Sequence, residues 1–504
     1  MKHQAPYFPI IYVRGYAAME SEINTTVDDP FYGFNFGSSH IRVGADGEPD
    51  QFFFESPVVR LMTDYGYHDT FRGRTQSISA EQHAGLSGDD DPDSWRTIWI
   101  HRYYDISATT YGARQTKRLR VEEAAAELES LIKRVKQETG APLVHLVAHS
   151  MGGLVCRSLL QKVYPEQGED PRKQVARFFT YGTPHGGIQF RTGLGWAEKL
   201  RDLIGPFDAD TFGPDRLYQM LTPNVPKKKS APRGFDPRKF TGPFDLDNVF
   251  CAIGTNAADY DVAKGASAFA AGPQSDGLVQ IEAAYIQDAH RAFVHRSHSG
   301  RYGIVNSEEA FQNLERFLFG SVQAEVSLCG VRELPPTTEV SYQLDFRVAV
   351  RGLPVFMNER TRQNYCPFVL NDPAVDELQE TYPLYTQFLN STRAASGDGT
   401  CRFALSLALY AFPVRHGKID YSRSIAGVAA WADQLLIDVN VGPKRSIAVL
   451  WAASGAQGPE DVPLKSRPQK GSEARIPLPE GARQHLGPEA NLKIEAYPWT
   501  VTTK

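Results

Sequence analysis

The chain has 504 residues, of which 41% are hydrophobic and 22% are charged, and its formal net charge is −5 at pH 7. Such values are ordinary for globular protein, and the small net charge argues against nucleic acid as a partner. Five cysteines lie far apart without a CxxC pair, which argues against a disulfide framework and a cysteine-based metal site. A single core stops growing at about 250–300 residues, so we expect two domains.

The N-terminal segment lacks the apolar stretch of a secretory signal, because Tyr7–Val13 run directly into Arg14. The sequence also contains no run of 18 apolar residues that would span a membrane. We therefore expect a soluble, cytoplasmic protein, with export by a route that needs no N-terminal signal as the alternative.

Residues 1–320 are predicted to form an α/β domain, because apolar strands alternate with amphipathic helices. A helix near 120–136 is predicted to connect a strand at 97–104 to one at 142–148 as a right-handed crossover. Further strands are expected at 9–13, 177–181, 249–254 and 292–295. The closing helix should be capped by Asn306 or Ser307 and end near Phe319.

Two insertions interrupt this pattern, near residues 20–94 and 189–245. The first contains an acidic run at 88–93, which lacks the spacing of a calcium loop and is interpreted as a solvated turn. The second suggests a cap or lid. Its apolar residues, such as Phe190, Trp196 and Phe212, suit either an acyl-chain surface or a cap packed on the core. Its basic residues, such as Lys227 and Arg238, suit either a solvated loop or contact with anionic head groups.

Beyond Gly320 the sequence changes to β-branched and aromatic runs, at 340–350, 435–441 and 446–451. Residues 321–504 are therefore predicted to form a separate, mainly β domain, of sandwich type.

The segment with the clearest chemistry is 144–153, VHLVAHSMGG. A nucleophilic serine on a sharp strand-to-helix turn needs small residues two positions before and after it. Ala148 and Gly152 occupy these positions around Ser150, where alanine replaces the usual first glycine. Ser150 is therefore the candidate nucleophile, and the start of the helix adds positive potential for an oxyanion.

Acyl transfer needs two donors for the oxyanion. One is the backbone N–H of Met151, directly after the nucleophile. The second is expected in the loop after the first strand, where Gly15 allows a close turn. The N–H of Tyr16 is the candidate, with Ala17 as the alternative.

The base and its orienting carboxylate should follow in the order Ser, Asp, His. Asp276 lies in a loop after a late strand, with Asp259 and Asp261 as alternatives. His298 lies between the last strand and the last helix, and His295 and His290 are its rivals.

The segments 148–153 (AHSMGG), 180–187 (TYGTPHGG) and 276–279 (DGLV), with the region around His298, resemble lipases of the α/β-hydrolase superfamily. They are most similar to triacylglycerol lipases and PGAP-like esterases, over residues 8–320. Relatives usually carry His-Gly after the first strand, where this chain has Arg14-Gly15. The resemblance implies a structural role for His185, and not that of the base.

The resemblance implies hydrolysis of carboxylic esters through an acyl-enzyme, without a metal or an organic cofactor. A lipid or another ester is the expected substrate, with contact to a membrane surface as a further expectation. The same machinery also serves acyltransferases, thioesterases and amidases. A different alternative is a degenerate hydrolase that works as a binding or targeting module through its β domain.

Overall fold

A computed structural model describes most of the chain. The described residues are 5–15, 40–43, 49–52, 57–69, 95–101, 103, 120–188, 212–226, 228–259, 271–299, 303–332, 340–370, 381–394, 399–415, 418–419, 428–440, 446–453, 462–463 and 473–501. The predicted acidic turn at 88–93 and most of the two insertions lie outside them.

The chain divides into two compact units. The first comprises Met1–Arg291, His295–Phe311 and Val501–Lys504, and the second comprises Ala292–Val294 and Gln312–Thr500.

A seven-stranded sheet dominates the N-terminal region, in the order β4-β5-β1-β6-β7-β8-β9. Its strands from β4 to β8 pair in parallel. β1, β6, β7 and β8 are almost entirely buried, as apolar strands covered on both faces are. The strands of this region, including the small β2–β3 hairpin, are β1 Ile10–Val13, β2 His40–Val43, β3 Pro49–Phe52, β4 His68–Asp69, β5 Thr97–His101, β6 Val144–His149, β7 Val175–Tyr181, β8 Val249–Gly254 and β9 His290–Val294.

The helices of the same region are α1 Pro57–Tyr65, α2 Val121–Thr139, α3 Met151–Ser158, α4 Tyr164–Gln167, α5 Pro214–Leu221 and α6 Glu308–Phe319. A π-helical turn at Leu159–Val163 joins α3 to α4, and 3₁₀ turns lie at Pro171–Lys173, Leu246–Asn248, Ile281–Ala283 and Ile304–Asn306. α2 ends at Gly140 in the left-handed conformation, and α6 begins after Ser307, whose hydroxyl accepts from the Ala310 N–H at 3.2 Å.

The C-terminal region consists mostly of antiparallel sheet. A four-stranded sheet has the order β14-β10-β21-β20, and an eight-stranded sheet has the path β12-β11-β15-β17-β18-β19, with β13 and β16 at its sides. The elements are β10 Val322–Cys329, β11 Val340–Val350, β12 Phe356–Arg360, β13 Phe368–Val369, β14 Thr381–Leu389, β15 Thr400–Arg415, β16 Lys418–Ile419, β17 Trp431–Asn440, β18 Ser446–Trp451, β19 Val462–Pro463, β20 Glu473–Pro477 and β21 Asn491–Pro498, with a 3₁₀ turn at Ser391–Arg393 and helix α7 at Glu480–Leu486. The sandwich arrangement and the assignment of roles to the two domains stay predictions.

The α/β fold and the mainly β character of the C-terminal region are confirmed, whereas several boundaries differ. The crossover helix α2 extends to Thr139, three residues beyond its predicted end. The last strand spans His290–Val294, so His295 lies just beyond it. In the part of the chain that the structure describes, no helix has the length and apolar character needed to cross a membrane.

His145 is fully buried in the middle of the parallel sheet, where its Nε2–H donates to the carbonyl oxygen of Pro6 at 2.7 Å. Burial, together with the charge of Arg177, lowers the pKa of His145 to about 3. The folded chain therefore keeps His145 neutral at a pH at which the unfolded chain protonates it.

We predict that this difference makes stability depend on pH. The contribution of His145 is unchanged above pH 6.5, and it falls as the pH drops from about 6.5 towards about 3, because only the unfolded chain then takes up the proton. At pH 5 the loss is about 2 kcal/mol in the free energy of unfolding. His145→Gln keeps an amide donor and does not titrate, so denaturant unfolding between pH 7 and pH 5 should show a smaller loss than in the wild type. The exposed His68→Gln variant is the control, and equal slopes in all three proteins would contradict the prediction.

Candidate active site

Ser150 lies at the turn between β6 and α3, with a φ of 53° and a ψ of −129°. A positive φ is uncommon for a residue with a side chain, and such strain concentrates at functional sites. The Ser150 N–H donates to the carbonyl oxygen of Tyr181 on the neighbouring strand at 2.9 Å. This bond holds the strained residue at the carboxyl end of the sheet.

Two glycines in the first turn of α3, Gly152 and Gly153, allow this helix to pack closely behind Ser150. A Cβ at Gly152 would lie 2.4 Å from the carbonyl oxygen of Val13, which is backbone and has little freedom to move. A Cβ at Gly153 would lie 2.2 Å from the Thr183 hydroxyl. The small residue that the sequence predicts at Gly152 is therefore required by contact with β1.

The structure brings Ser150, His298 and Asp276 together. The Ser150 hydroxyl donates to Nε2 of His298 at 3.0 Å, and Nδ1–H of His298 donates to Oδ2 of Asp276 at 2.8 Å. A carboxylate only accepts, so Asp276 selects the tautomer in which Nε2 is free to accept the serine proton. Ser150 is partly exposed, whereas the His298 and Asp276 side chains are buried.

The second oxygen of Asp276 is held by backbone. Its Oδ1 accepts from the N–H groups of Leu278 at 3.0 Å and Val279 at 2.7 Å. The backbone N–H of His298 also donates to the carbonyl oxygen of Asp276 at 2.8 Å. These bonds fix both the carboxylate and the imidazole that it faces.

The alternatives from the sequence lie elsewhere. Asp259 is exposed and accepts from the Asn256 side chain at 2.7 Å, and Asp261 lies outside the described residues. His295 is exposed, with Nδ1 at 3.3 Å from the Thr255 hydroxyl. His290 lies 3.8 Å from the Asp247 carboxylate.

Two further glycines make room for the acid and the base. A Cβ at Gly182 would lie 2.9 Å from Oδ2 of Asp276 and 3.1 Å from Nδ1 of His298. A Cβ at Gly254 would lie 2.7 Å from Cβ of Asp276. Neither glycine is predicted from the sequence to belong to the site. Their position at the ends of two apolar strands is the signal that would have identified them.

His149 directly precedes Ser150, and the sequence did not predict that it belongs to the site. Its Nε2–H donates to the carbonyl oxygen of His298 at 3.0 Å, and the two imidazole rings lie 4.9 Å apart. Desolvation and the neighbouring His298 lower the pKa of His149 to about 3, so it stays neutral near pH 7. His149 therefore ties the loop that carries His298 to the turn that carries Ser150, without adding a charge.

His185, in the Thr-Pro-His-Gly segment, is fully buried behind the site. Its Nε2 lies 3.2 Å from the Thr180 hydroxyl and 3.7 Å from the Cys251 thiol. Burial, with the charge of Arg157, holds the pKa of His185 well below its usual value. Arg157 on α3 is itself fully buried and donates to the His185 carbonyl oxygen at 3.2 Å. These contacts are consistent with a structural role for His185.

Of the candidate oxyanion donors, only Met151 lies among the described residues. Met151 is the first residue of α3, so its N–H has no acceptor within the helix. Gly15 packs against the nucleophile, since a Cβ there would lie 3.1 Å from the Ser150 Cβ. Tyr16 and Ala17 lie outside the described residues. The second donor stays a prediction.

In the second insertion, Phe212 and the apolar face of α5 are buried in the core cluster of the α/β region. For the described residues this favours a cap packed on the core, whereas Phe190 and Trp196 lie outside them. Arg238 in the basic loop forms an ion pair with Asp236 at 2.8 Å, and Lys227 lies outside the described residues.

Among the described residues, no three His, Cys, Asp or Glu side chains form a group that could hold a metal ion.

Residues 98–189 match the model of the lecithin:cholesterol acyltransferase family. The match includes β6, Ser150, α3 and the Thr-Pro-His-Gly segment. No curated protein sequence matches the chain.

Two solved structures illustrate what the chain is similar to. The mature form of the Bacillus licheniformis lipase BlEst2 is 14% identical, covers 63% of this chain and 95% of its own, and has a TM-score of 0.32. Phospholipase PlaB from Legionella pneumophila is 11% identical, covers 80% of this chain and 86% of its own, and has a TM-score of 0.32. Similarities with such low sequence identity and TM-score do not identify the substrate of this chain. The strand order and the family match carry the assignment of the fold: the chain has the α/β-hydrolase fold.

We predict that Gly152→Ala destabilises the chain by about 1–3 kcal/mol or more, because its Cβ meets the fixed Val13 carbonyl oxygen. Gly140→Ala is the matched control. It places a Cβ in open space at a φ of +68°, so it should cost only about 1–2 kcal/mol of left-handed strain. Denaturant unfolding measures stability, and fluorophosphonate labelling of Ser150 measures damage to the turn. Labelling that stays at the wild-type rate in Gly152→Ala would contradict the assigned contact.

Proposed function

We propose that the chain is a serine hydrolase of carboxylic esters, an esterase or lipase, with Ser150 as nucleophile, His298 as base and Asp276 as orienting acid. The observation that carries the proposal is the pair of hydrogen bonds from Ser150 Oγ to His298 Nε2, 3.0 Å, and from His298 Nδ1 to Asp276 Oδ2, 2.8 Å. The strained backbone at Ser150 supports it, because it exposes the hydroxyl above the sheet.

In the proposed first step, Ser150 Oγ forms a bond to the ester carbonyl carbon while its proton moves to Nε2 of His298. The carbonyl oxygen becomes an oxyanion, which the N–H of Met151 is placed to bind. The C–O bond to the alcohol then breaks, and the alcohol leaves with the proton from His298. The acyl group remains on Ser150.

In the second step, water donates a proton to His298 and attacks the acyl carbon, and Ser150 leaves with the proton returned by His298. Asp276 stabilises the imidazolium in both steps without itself taking the proton. Its two backbone donors and the His149 link to the His298 carbonyl oxygen hold the imidazole in place between them. His149 stays neutral, so one imidazole in the site changes charge.

A lipid ester is the proposed substrate class, as the match to the lecithin:cholesterol acyltransferase family supports. The name of that family also supports acyl transfer as a second candidate function. Both reactions use the same acyl-enzyme and differ in whether water or an alcohol accepts the acyl group. Product analysis with a p-nitrophenyl ester in the presence of a long-chain alcohol separates them, because transfer yields the new ester and hydrolysis yields the free acid.

We predict that Ser150→Ala lowers turnover of p-nitrophenyl esters by a factor of about 10⁴–10⁶ and abolishes labelling by a fluorophosphonate. Ser158→Ala is the matched control, because Ser158 is a buried serine at the far end of the same helix. It should react like the wild type. A folded Ser150→Ala protein that still turns over ester would overturn the proposed mechanism. A wild-type protein that neither labels nor turns over would instead support a degenerate hydrolase.

The second prediction separates the histidines. His298→Ala should abolish turnover, whereas His295→Ala should keep it, because His295 contacts Thr255 and neither Ser150 nor Asp276. Asp276→Asn should lower kcat by about 10⁴, because the amide favours the wrong tautomer of His298. Steady-state kinetics on purified variants, with circular dichroism to confirm folding, is the measurement. Activity lost in His295→Ala and kept in His298→Ala would relocate the base.

A further inference from the structure

The C-terminal unit contains a cleft of about 260 Å³ lined by four arginines. They come from four separate places in the chain: Arg316 at the end of α6, Arg351 after β11, Arg393 in a 3₁₀ turn and Arg402 on β15. Cys401, Asn390 and Asp438 line the same cleft. None of these residues belongs to the proposed catalytic set.

The carboxylates around the cleft account for only part of this charge. Arg402 forms a bidentate pair with Asp438, with N–O distances of 2.6 and 2.5 Å. The buried Glu315 is shared, because one oxygen accepts from Arg316 at 2.6 Å and the other from Arg393 at 3.2 Å. Four arginines and two carboxylates thus lie together among the described residues of this cleft.

Arg351 lies outside these ion pairs. It is exposed and forms no ion pair with any described residue. Its backbone is anchored, because its N–H donates to the carbonyl oxygen of Arg402 at 2.9 Å. The exposed side chain of Arg351 therefore starts from a fixed point at the edge of a cleft that three other arginines line.

We propose that this cleft binds a phosphate monoester. Guanidinium groups match phosphate oxygens in bidentate geometry, and a phosphate monoester carries about −1.5 to −2 charges at pH 7, which suits a cleft lined by four arginines of which Arg351 has no carboxylate partner among the described residues. The volume is below the range of about 300–1,000 Å³ that encloses drug-sized molecules, so it suits a phosphate group with a small attached moiety rather than an acyl chain. The same chemistry is available on a lipid head group and on a soluble phosphate compound.

The test uses the full chain. Binding of glycerol 3-phosphate and of inorganic phosphate is measured by calorimetry. Binding to phosphatidylcholine vesicles with and without phosphatidic acid is measured by co-sedimentation. Binding should weaken as NaCl rises, because the contact is between charges. Ser150→Ala should bind like the wild type, so the cleft can fail or succeed independently of the proposed hydrolase activity.

Arg351→Gln is the informative variant, because it removes an exposed charge and breaks no ion pair. It should weaken phosphate binding about tenfold or more, as expected for loss of a hydrogen bond between charged groups. Arg332→Gln is the matched control, since Arg332 is an exposed arginine of the same unit outside the cleft. Circular dichroism confirms that both variants are folded.

Selective binding to vesicles with phosphatidic acid, lost in Arg351→Gln and competed by inorganic phosphate, would support the site with a lipid head group as its ligand. Binding of the soluble phosphates without vesicle binding would support the site with a soluble ligand. No phosphate binding, or equal binding by Arg351→Gln and Arg332→Gln, would overturn the proposal.

Discussion

At Ser150 a buried strand is followed directly by a buried helix, and the surrounding backbone leaves almost no space for this turn. The helix passes so close to β1 that a single methyl group at Gly152 would overlap the Val13 carbonyl oxygen. Because β1 and β6 are adjacent and almost entirely buried, neither can move away without opening the core. The strain at Ser150 is therefore maintained by the packing of the sheet, and the hydroxyl keeps its position at the sheet edge.

The other two candidate side chains depend on the same sheet. Asp276 follows β8 and His298 follows β9, and these two strands are neighbours in that sheet. Gly182 and Gly254 let the two loops approach until the carboxylate and the imidazole are in hydrogen-bond contact. The site is thus assembled from small residues at strand ends, and the polar groups occupy the space that these residues leave.

Electrostatics differ between the two sites that we propose. Around Ser150 the histidines other than His298 are kept neutral by desolvation, as the lowered pKa values of His149 and His185 show. In the cleft of the C-terminal unit, arginines from distant positions converge and exceed the carboxylates among the described residues. The first arrangement suits movement of one proton, and the second suits binding of a fixed negative charge.

The sequence by itself determined the α/β class, the mainly β C-terminal region and the turn around Ser150, because periodicity and small residues at fixed spacing are local properties. The strand β15 was not predicted, although Phe403, Leu405, Leu407 and Leu409 alternate inward along it, because leucine is not among the β-branched and aromatic residues that indicate strands. Only the tertiary structure placed Asp276 rather than Asp259 beside His298, and brought Gly182, Gly254 and His149 to them. Only the tertiary structure brings the four arginines to one cleft. Residues separated by more than a hundred positions meet through the order of the strands, and no local pattern in the chain encodes that order.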